Sequence, residues 1–367
     1  MKDTELFYTL ALLKVAGIRD VIAKRLINHF GTAKKIFGVA SSELMAVEGI
    51  GGILSVKLRD SAIFKAAEAE LKCIQTQGIR VLFFKDDDYP RHLKYCNDGP
   101  VLLFSKGNIR LEESKSISIV GTRQITSHGI AFCQKLIAEL LPWNPVIISG
   151  FAYGTDITAQ MAAVENNLQT IGILAHGLNR MYPAVHSRFQ RPIMENGGFL
   201  TEFWSSSKPE REHFIRRNRI IAGISEATIV IESAEKGGAL ITAYMAGSYN
   251  RDVFAVPGRV TDVYSAGCHK LLKTQRAHIL TAAADLVYML NWDMEKVAAK
   301  AIQQQLFVAL EPDEQRIYDF LTQNGRELLD LIALNCGLPV HKVSSLLLAM
   351  ELKGVIRPLP GKLFEIL

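Results

Sequence analysis

Between Phe214 and Ala243 the chain gathers residue types that handle anions. Arg216, Arg217 and Arg219 surround Asn218, and Lys236-Gly237-Gly238 follows after a short apolar run. Guanidinium groups present paired N–H donors to phosphate oxygens. A glycine turn leading into a helix adds unpaired backbone N–H groups and the positive end of the helix dipole. The device recurs upstream. Gly121-Thr122-Arg123 offers a turn glycine, a hydroxyl and a guanidinium, and Ser149-Gly150 through Gly154 offers a hydroxyl and two glycines. Just ahead of the arginines, Lys208 and Arg211 interleave with His213 and Phe214. Cations around a ring suit single-stranded nucleic acid, because Arg holds phosphates while the ring stacks on an unpaired base. Phe214 is equally readable as a core anchor, and some of the arginines as partners of internal acids.

Catalytic chemistry finds less support. Neither GxGxxG nor GxxxxGK[ST] is present, so a dinucleotide or P-loop site lacks its fingerprint. Asp156, inside the second turn, is expected to cap a helix rather than to move a proton. Ser149 lacks a GxSxG elbow and a paired His, which leaves its hydroxyl to contact phosphate. The run Lys236-Gly237-Gly238-Ala239-Leu240 resembles the glycine turn of nucleotide phosphoribohydrolases, but that chemistry needs a carboxylate one helical turn later. Tyr244, Met245 and Ala246 stand there instead. The acidic triplet Asp86–Asp88 has no partnered ligands, and no metal or cofactor is expected.

These residues must be held by elements, and the hydrophobic pattern supplies them. Ala227–Ile231 is a short β-branched run flanked by breakers, as a strand buried on both faces is. Ile117–Val120, Val146–Ile148, Thr170–Leu174, Phe199–Thr201 and Val253–Val256 are similar, with helical stretches between them. Alternation of strand and helix predicts right-handed crossovers and a parallel, Rossmann-like sheet with helices on both faces. Ligands in such sheets collect at the carboxyl ends of strands, where the three phosphate-type turns fall. Two further runs, Ile79–Phe84 and Val101–Phe104, precede this region, separated by a loop with one helical turn.

The flanks differ. Residues 1–75 read as short helices with a repeat, Val15-Ala16-Gly17-Ile18 and Val47-Glu48-Gly49-Ile50-Gly51-Gly52, each of helix-hairpin-helix type. Such hairpins either present N–H groups to DNA phosphate or serve only to pack. Residues 76–292 form the Rossmann-like domain and 293–312 a polar linker. Residues 313–367 give three helices, Glu314–Thr322, Glu327–Asn335 and Val340–Lys353, then a hairpin, as in a winged helix. Charge follows this division: residues 1–80 carry 12 cations against 8 acids, residues 81–310 carry 24 against 21, and residues 311–367 carry 6 against 8. A net-negative winged helix with few polar readers favours packing or protein contact over groove recognition. Five scattered cysteines without a CxxC pair fit a reduced, cytoplasmic setting. No apolar run reaches the roughly 20 residues that span a bilayer.

In combination and order these motifs resemble the DNA-processing protein A family, DprA, also called Smf. The residues that carry the likeness are Tyr89–Gly107, Ile119–Arg123, Ser149–Asp156, His176–Pro183, Thr201–Ser225 and Gly237–Gly258. The resemblance implies a non-enzymatic protein that binds single-stranded DNA, shields incoming strands and loads the recombinase RecA in natural transformation. It further implies a homodimer through the Rossmann-like domain. Its DNA pocket would use Arg123, Arg211, Phe214, Arg217, Asn218 and Arg219. Two departures stand out: Ala184 follows Tyr182-Pro183 where many members have a cation, and Lys236-Gly237-Gly238 replaces a hydroxyl-bearing turn.

Overall fold

The computed structural model describes residues 3–111, 115–292, 310–359 and 362–366. The expected linker, 293–312, lies almost wholly outside the described residues. Six helices open the chain: α1 (Asp3–Lys14), α2 (Asp20–Phe30), α3 (Ala33–Ile36), α4 (Ser41–Met45), α5 (Gly52–Lys57) and α6 (Ser61–Thr76). Leu6 and Leu10 of α1 share a core with Ile63, Ala67 and Ile74 of α6, the period of about 3.6 residues placing each set on one face. Both predicted hairpins are present, turning through Gly17 and Gly49 at φ +103° and +89°. They face each other. Arg25 of α2 donates to the Glu48 carbonyl at 2.6 Å, and Lys57 of α5 donates to the Ala16 carbonyl at 3.3 Å. Asp20, in the first turn of α2, accepts from the Val101 amide at 2.9 Å, which lies beyond the helical part of the chain. For the first hairpin, then, packing is the role observed.

The sheet follows. Its strands are β1 (Arg80–Phe83), β2 (Leu102–Gly107), β3 (Ser116–Val120), β4 (Val146–Ser149), β5 (Thr170–Ile173), β6 (Gly197–Thr201), β7 (Ala227–Val230), β8 (Asp252–Ala255) and β9 (His278–Ile279). The order is β1-β2-β6-β5-β4-β3-β7-β8-β9. From β6 to β9 every pairing is parallel, as expected. β1 and β2 extend the β6 edge antiparallel, with Phe104 opposite Thr201. Their apolar runs do not reveal direction, so sequence alone left this open. Between the strands stand α7 (Arg91–Lys94), α8 (Ser127–Glu139), α9 (Thr155–Glu165), α10 (Gln190–Glu195), α11 (Arg211–Ile224), α12 (Gly238–Ser248), α13 (Ala266–Lys273) and α14 (Ala283–Met289). Ile220, Ile221 and Ile224 of α11 pack with Leu240 and Ala243 of α12 on one sheet face. Cys133, Leu136 and Ile137 of α8 pack with Ala159 and Ala163 of α9 on the other.

The helical region and the sheet form one compact unit, Met1–Val297, so the expected boundary at 75/76 falls inside it. The physical reason is polar as well as apolar. Glu70 of α6 accepts from the Ser205 amide at 2.8 Å and its hydroxyl at 2.5 Å, and Asp20 pairs with Arg219.

The second unit, Ala298–Leu367, contains α15 (Pro312–Asn324), β10 (Glu327–Leu328), α16 (Leu329–Cys336), α17 (Val340–Leu352), β11 (Ile356–Leu359) and β12 (Leu363–Ile366). Its sheet order is β10-β12-β11. Glu327 was expected to open a helix; it instead begins the short strand that completes the three-stranded wing. On α17, Lys342 is held by Asp313 at 2.6 Å, while Val340 and Leu348 are exposed. No single helix among the described residues is long and apolar enough to cross a membrane.

Candidate functional site

Sheet topology places the site. From β3 the chain winds outward through β4, β5 and β6, then returns to β7 on the opposite side of β3. The β3/β7 boundary is therefore the switch point where crossovers diverge and a crevice must open. A cavity of about 700 Å³ lies there. Gly121, Thr122 and Arg123 at the end of β3 line one wall, Ser233 and Ala234 after β7 another, and Gly237 and Gly238 at the start of α12 a third. Arg211, Phe214, Arg217 and Asn218 of α11 line the remaining side.

The β3 turn is held from β7. The Thr122 amide donates to the Glu232 carbonyl at 2.8 Å, and the Glu232 carboxylate accepts from the Thr126 amide at 2.9 Å and its hydroxyl at 2.5 Å. Arg123 projects from this turn with its side chain exposed. At the opposite wall Gly237 is the N-cap of α12 and supplies no side-chain cap; Leu240 N donates to the Gly237 carbonyl at 3.2 Å, which leaves the Gly238 and Ala239 amides at the start of an 11-residue helix to face an anion.

Phe214 is half-buried and belongs to the cavity, not to a core. Its ring meets that of Tyr182 edge-on at 5.7 Å, and the guanidinium carbons of Arg123 and Arg217 each lie 5.8 Å from its centre. A ring with two cations beside it forms a platform on which a flat, electron-rich group can stack.

Arg217 is buried beneath this platform at 4 % exposure. Its Nη1 donates to the Gly150 carbonyl at 2.6 Å and to the Ile173 carbonyl, and its Nε to Asn218 Oδ1 at 3.2 Å. Burial pulls the guanidinium down to about 10, against the neighbouring Asp156, which pushes it up. Asp156 is displaced upward by the same burial, opposed by Arg217. The helix-capping role expected for Asp156 is not the one observed. Gly154 is the N-cap of α9, and Asp156 folds back onto the Ala152 amide at 3.2 Å. The Asp156–Arg217 pair also explains Gly150, where a Cβ would come within 2.6 Å of the carboxylate and 2.7 Å of the guanidinium.

Several residues expected at the site sit elsewhere. Arg219, two positions after Arg217, points to the opposite side of α11. It pairs with Glu202 at 2.6 Å and Asp20 at 3.1 Å and donates to the Asp98 carbonyl, so its charge is spent inside the protein. The Ser149 hydroxyl is fully buried and donates to the Ile119 carbonyl at 2.6 Å, tying β4 to β3 rather than meeting phosphate. Gly150 and Gly154 support the wall without lining it. At Gly154 φ is +73°, and a Cβ would run into the backbone of Thr122 and Arg123. Lys236 is exposed on the loop before α12, outside the cavity lining. Tyr182 and Ile215 were not anticipated as lining residues. Tyr182 stood in the His176–Pro183 motif, but nothing local showed that its ring would reach Phe214.

The chain matches the family model described as DNA recombination-mediator protein A over residues 80–291, and that of the DprA winged helix domain over residues 303–362. It is 30 % identical to the protein Smf of Synechocystis sp., the alignment covering 100 % of both chains. The solved DNA processing protein A of Streptococcus pneumoniae is 31 % identical with a TM-score of 0.63, over 78 % of this chain and 98 % of that one. That of Helicobacter pylori, solved for its single-stranded DNA binding mode, is 27 % identical with a TM-score of 0.52, over 58 % of this chain and 95 % of that one.

Proposed function

The chain belongs to the DNA recombination-mediator protein A family, and on that premise we propose that it binds single-stranded DNA in the cavity at the β3/β7 switch point. The observation that carries this reading is the placement of Phe214 beside Arg123 and Tyr182 in a cavity whose other wall is the start of α12, which has no side-chain cap. An unpaired base stacks on Phe214 while Arg123, Arg211 and the α12 amides take phosphate oxygens. In a duplex the base faces are covered, so a platform of this kind discriminates for single strands.

The protein works by binding, without turnover. Among the residues lining the cavity the one carboxylate is Asp156, and it is committed to the Ala152 amide and the Arg217 charge. The bound strand is shielded and passed to the recombinase RecA, and the protein acts as a dimer through its Rossmann-like domain; both statements rest on the family. Fluorescence anisotropy with single- and double-stranded oligonucleotides at several salt concentrations tests the reading. Tighter single-strand binding with a steep salt slope is expected. Equal affinity for duplex, or a flat slope, would overturn it.

A further inference from the structure

A second cavity, of about 220 Å³, opens where α1 and α2 meet the carboxyl end of β6. Lys14, Arg19, Glu202, Trp204, His213 and Arg216 stand in its walls. Helix α11 divides it from the first cavity, which takes Phe214, Ile215 and Arg217 while the second takes His213 and Arg216. The two are thus neighbours along the same strand-end edge, separated by about the 10–12 Å width of one helix.

Glu202 is the unusual member. Its Oε2 holds Arg216 at 2.5 Å and Arg219 at 2.6 Å, yet its Oε1 is buried without a hydrogen-bond partner. A buried acceptor left unmatched is costly, and a ligand N–H that reaches it through a small turn of the Glu202 side chain toward the cavity would relieve that cost. The rim has the opposite chemistry. Lys14 and Arg19 are exposed, and the Arg216 side chain is 47 % exposed, so an anion is favoured there. The Lys14 ammonium stands 5.0 Å from the centre of the Trp204 ring, which offers a flat apolar surface beside the cations.

A hydrogen-bond donor for the carboxylate, a negative charge for the rim and a flat body for the ring are combined in a nucleotide. We infer that this junction cavity is a second nucleotide subsite, taking a base edge at Glu202 and the adjoining phosphate at Lys14 and Arg19, from the strand that fills the first cavity. The inference rests on the single-strand reading above and extends it to the helical region, which then takes part through the α1–α2 turn. Every base carries at least one N–H or NH₂ group on its pairing edge, so the subsite does not select sequence.

The test uses the full-length protein and oligothymidylates of graded length, read by anisotropy and tryptophan fluorescence. The shortest strands that bind should fill the first cavity and leave Trp204 unquenched. Longer ones should quench it, and Trp204→Phe should remove that quench. Lys14→Ala and Arg19→Ala, both at exposed positions, should each flatten the salt slope by about 0.7 on long strands and leave short strands unaffected. Wild-type slopes on long strands, or equal losses on short and long, would overturn the subsite while the first cavity stands. Absence of binding at every length would sink both.

Discussion

The Arg217 guanidinium carbon lies 5.8 Å from the centre of the Phe214 ring, a buried cation beside a half-exposed aromatic. Removing either residue should weaken single-strand binding, for different reasons. Arg217→Ala deletes donors to the Gly150 and Ile173 carbonyls and leaves Asp156 without its compensating charge. Leaving the buried Gly150 and Ile173 carbonyls without that donor costs about 1–3 kcal/mol each. Urea denaturation should show that loss. A wild-type midpoint would mean that Arg217 is free in solution and acts directly on phosphate.

Phe214→Ala should behave otherwise. The ring is half-buried and leans on Tyr182, so little core is lost. Affinity for single strands should fall by about 1–3 kcal/mol with the salt slope intact. The melting temperature should move far less than the about 3–5 kcal/mol typical of a truncated core Phe would require. A large melting shift with unchanged affinity would return Phe214 to the core.

Arg219→Ala separates the two halves of the Arg217-Asn218-Arg219 triplet. Its charge is matched by Asp20 and Glu202, not by the cavity. Stability should drop, because two buried carboxylates lose a partner, while the salt slope for single-strand binding stays at the wild-type value. A slope reduced by about 0.7 would put Arg219 on phosphate after all. Arg123→Ala should give the converse, a flatter slope with an unchanged midpoint.

Much of this was legible in the residues, because the strand–turn–helix rhythm from Ser116 is a local pattern and the glycine turns follow from it. That a crevice opens at the strand ends was legible for the same reason. What could not be read was orientation. Arg217 and Arg219 are chemically identical and two positions apart, yet on a helix they point about 200° from one another. Whether each meets solvent or an acid depends on Asp20 and Glu202, distant in sequence. Asp20 lies in the first turn of α2, and nothing in the neighbouring sequence marks it as a partner for Arg219. Likewise nothing in the runs at Ile79–Phe84 and Val101–Phe104 distinguished antiparallel edge strands from parallel ones, since burial on both faces erases the alternation that would betray them.

The carboxyl-terminal unit offers a cleaner separation. Several of its cations are engaged internally: Lys353 with Glu314 at 2.5 Å, Arg326 with Glu365 at 2.5 Å and Lys342 with Asp313 at 2.6 Å. A protein ending at Leu310 should keep single-strand affinity to well within tenfold, a change smaller than about 1.4 kcal/mol. Anisotropy on the truncated protein decides it, and a tenfold or greater loss would assign DNA contact to the winged helix.

Glu202 makes stability depend on pH in a direction opposite to that of most paired carboxylates. Burial raises it from the ordinary 4.5 to about 7, with Arg219 and Arg216 pulling down and Asp20 pushing up. Between these values the native state holds more protons than the unfolded state. By linkage, stability falls as pH rises through that window, and the contribution present below about 4.5 is gone above about 7. Glu202→Gln is neutral throughout and lacks this dependence, although it also lacks the charge that faces Arg216 and Arg219. The melting temperature of the variant relative to wild type should therefore rise between pH 5 and pH 8. Thermal melts of both proteins across that range provide the check. A difference that stays constant, or that falls with pH, would show that the two arginines hold Glu202 ionised throughout, in spite of its burial.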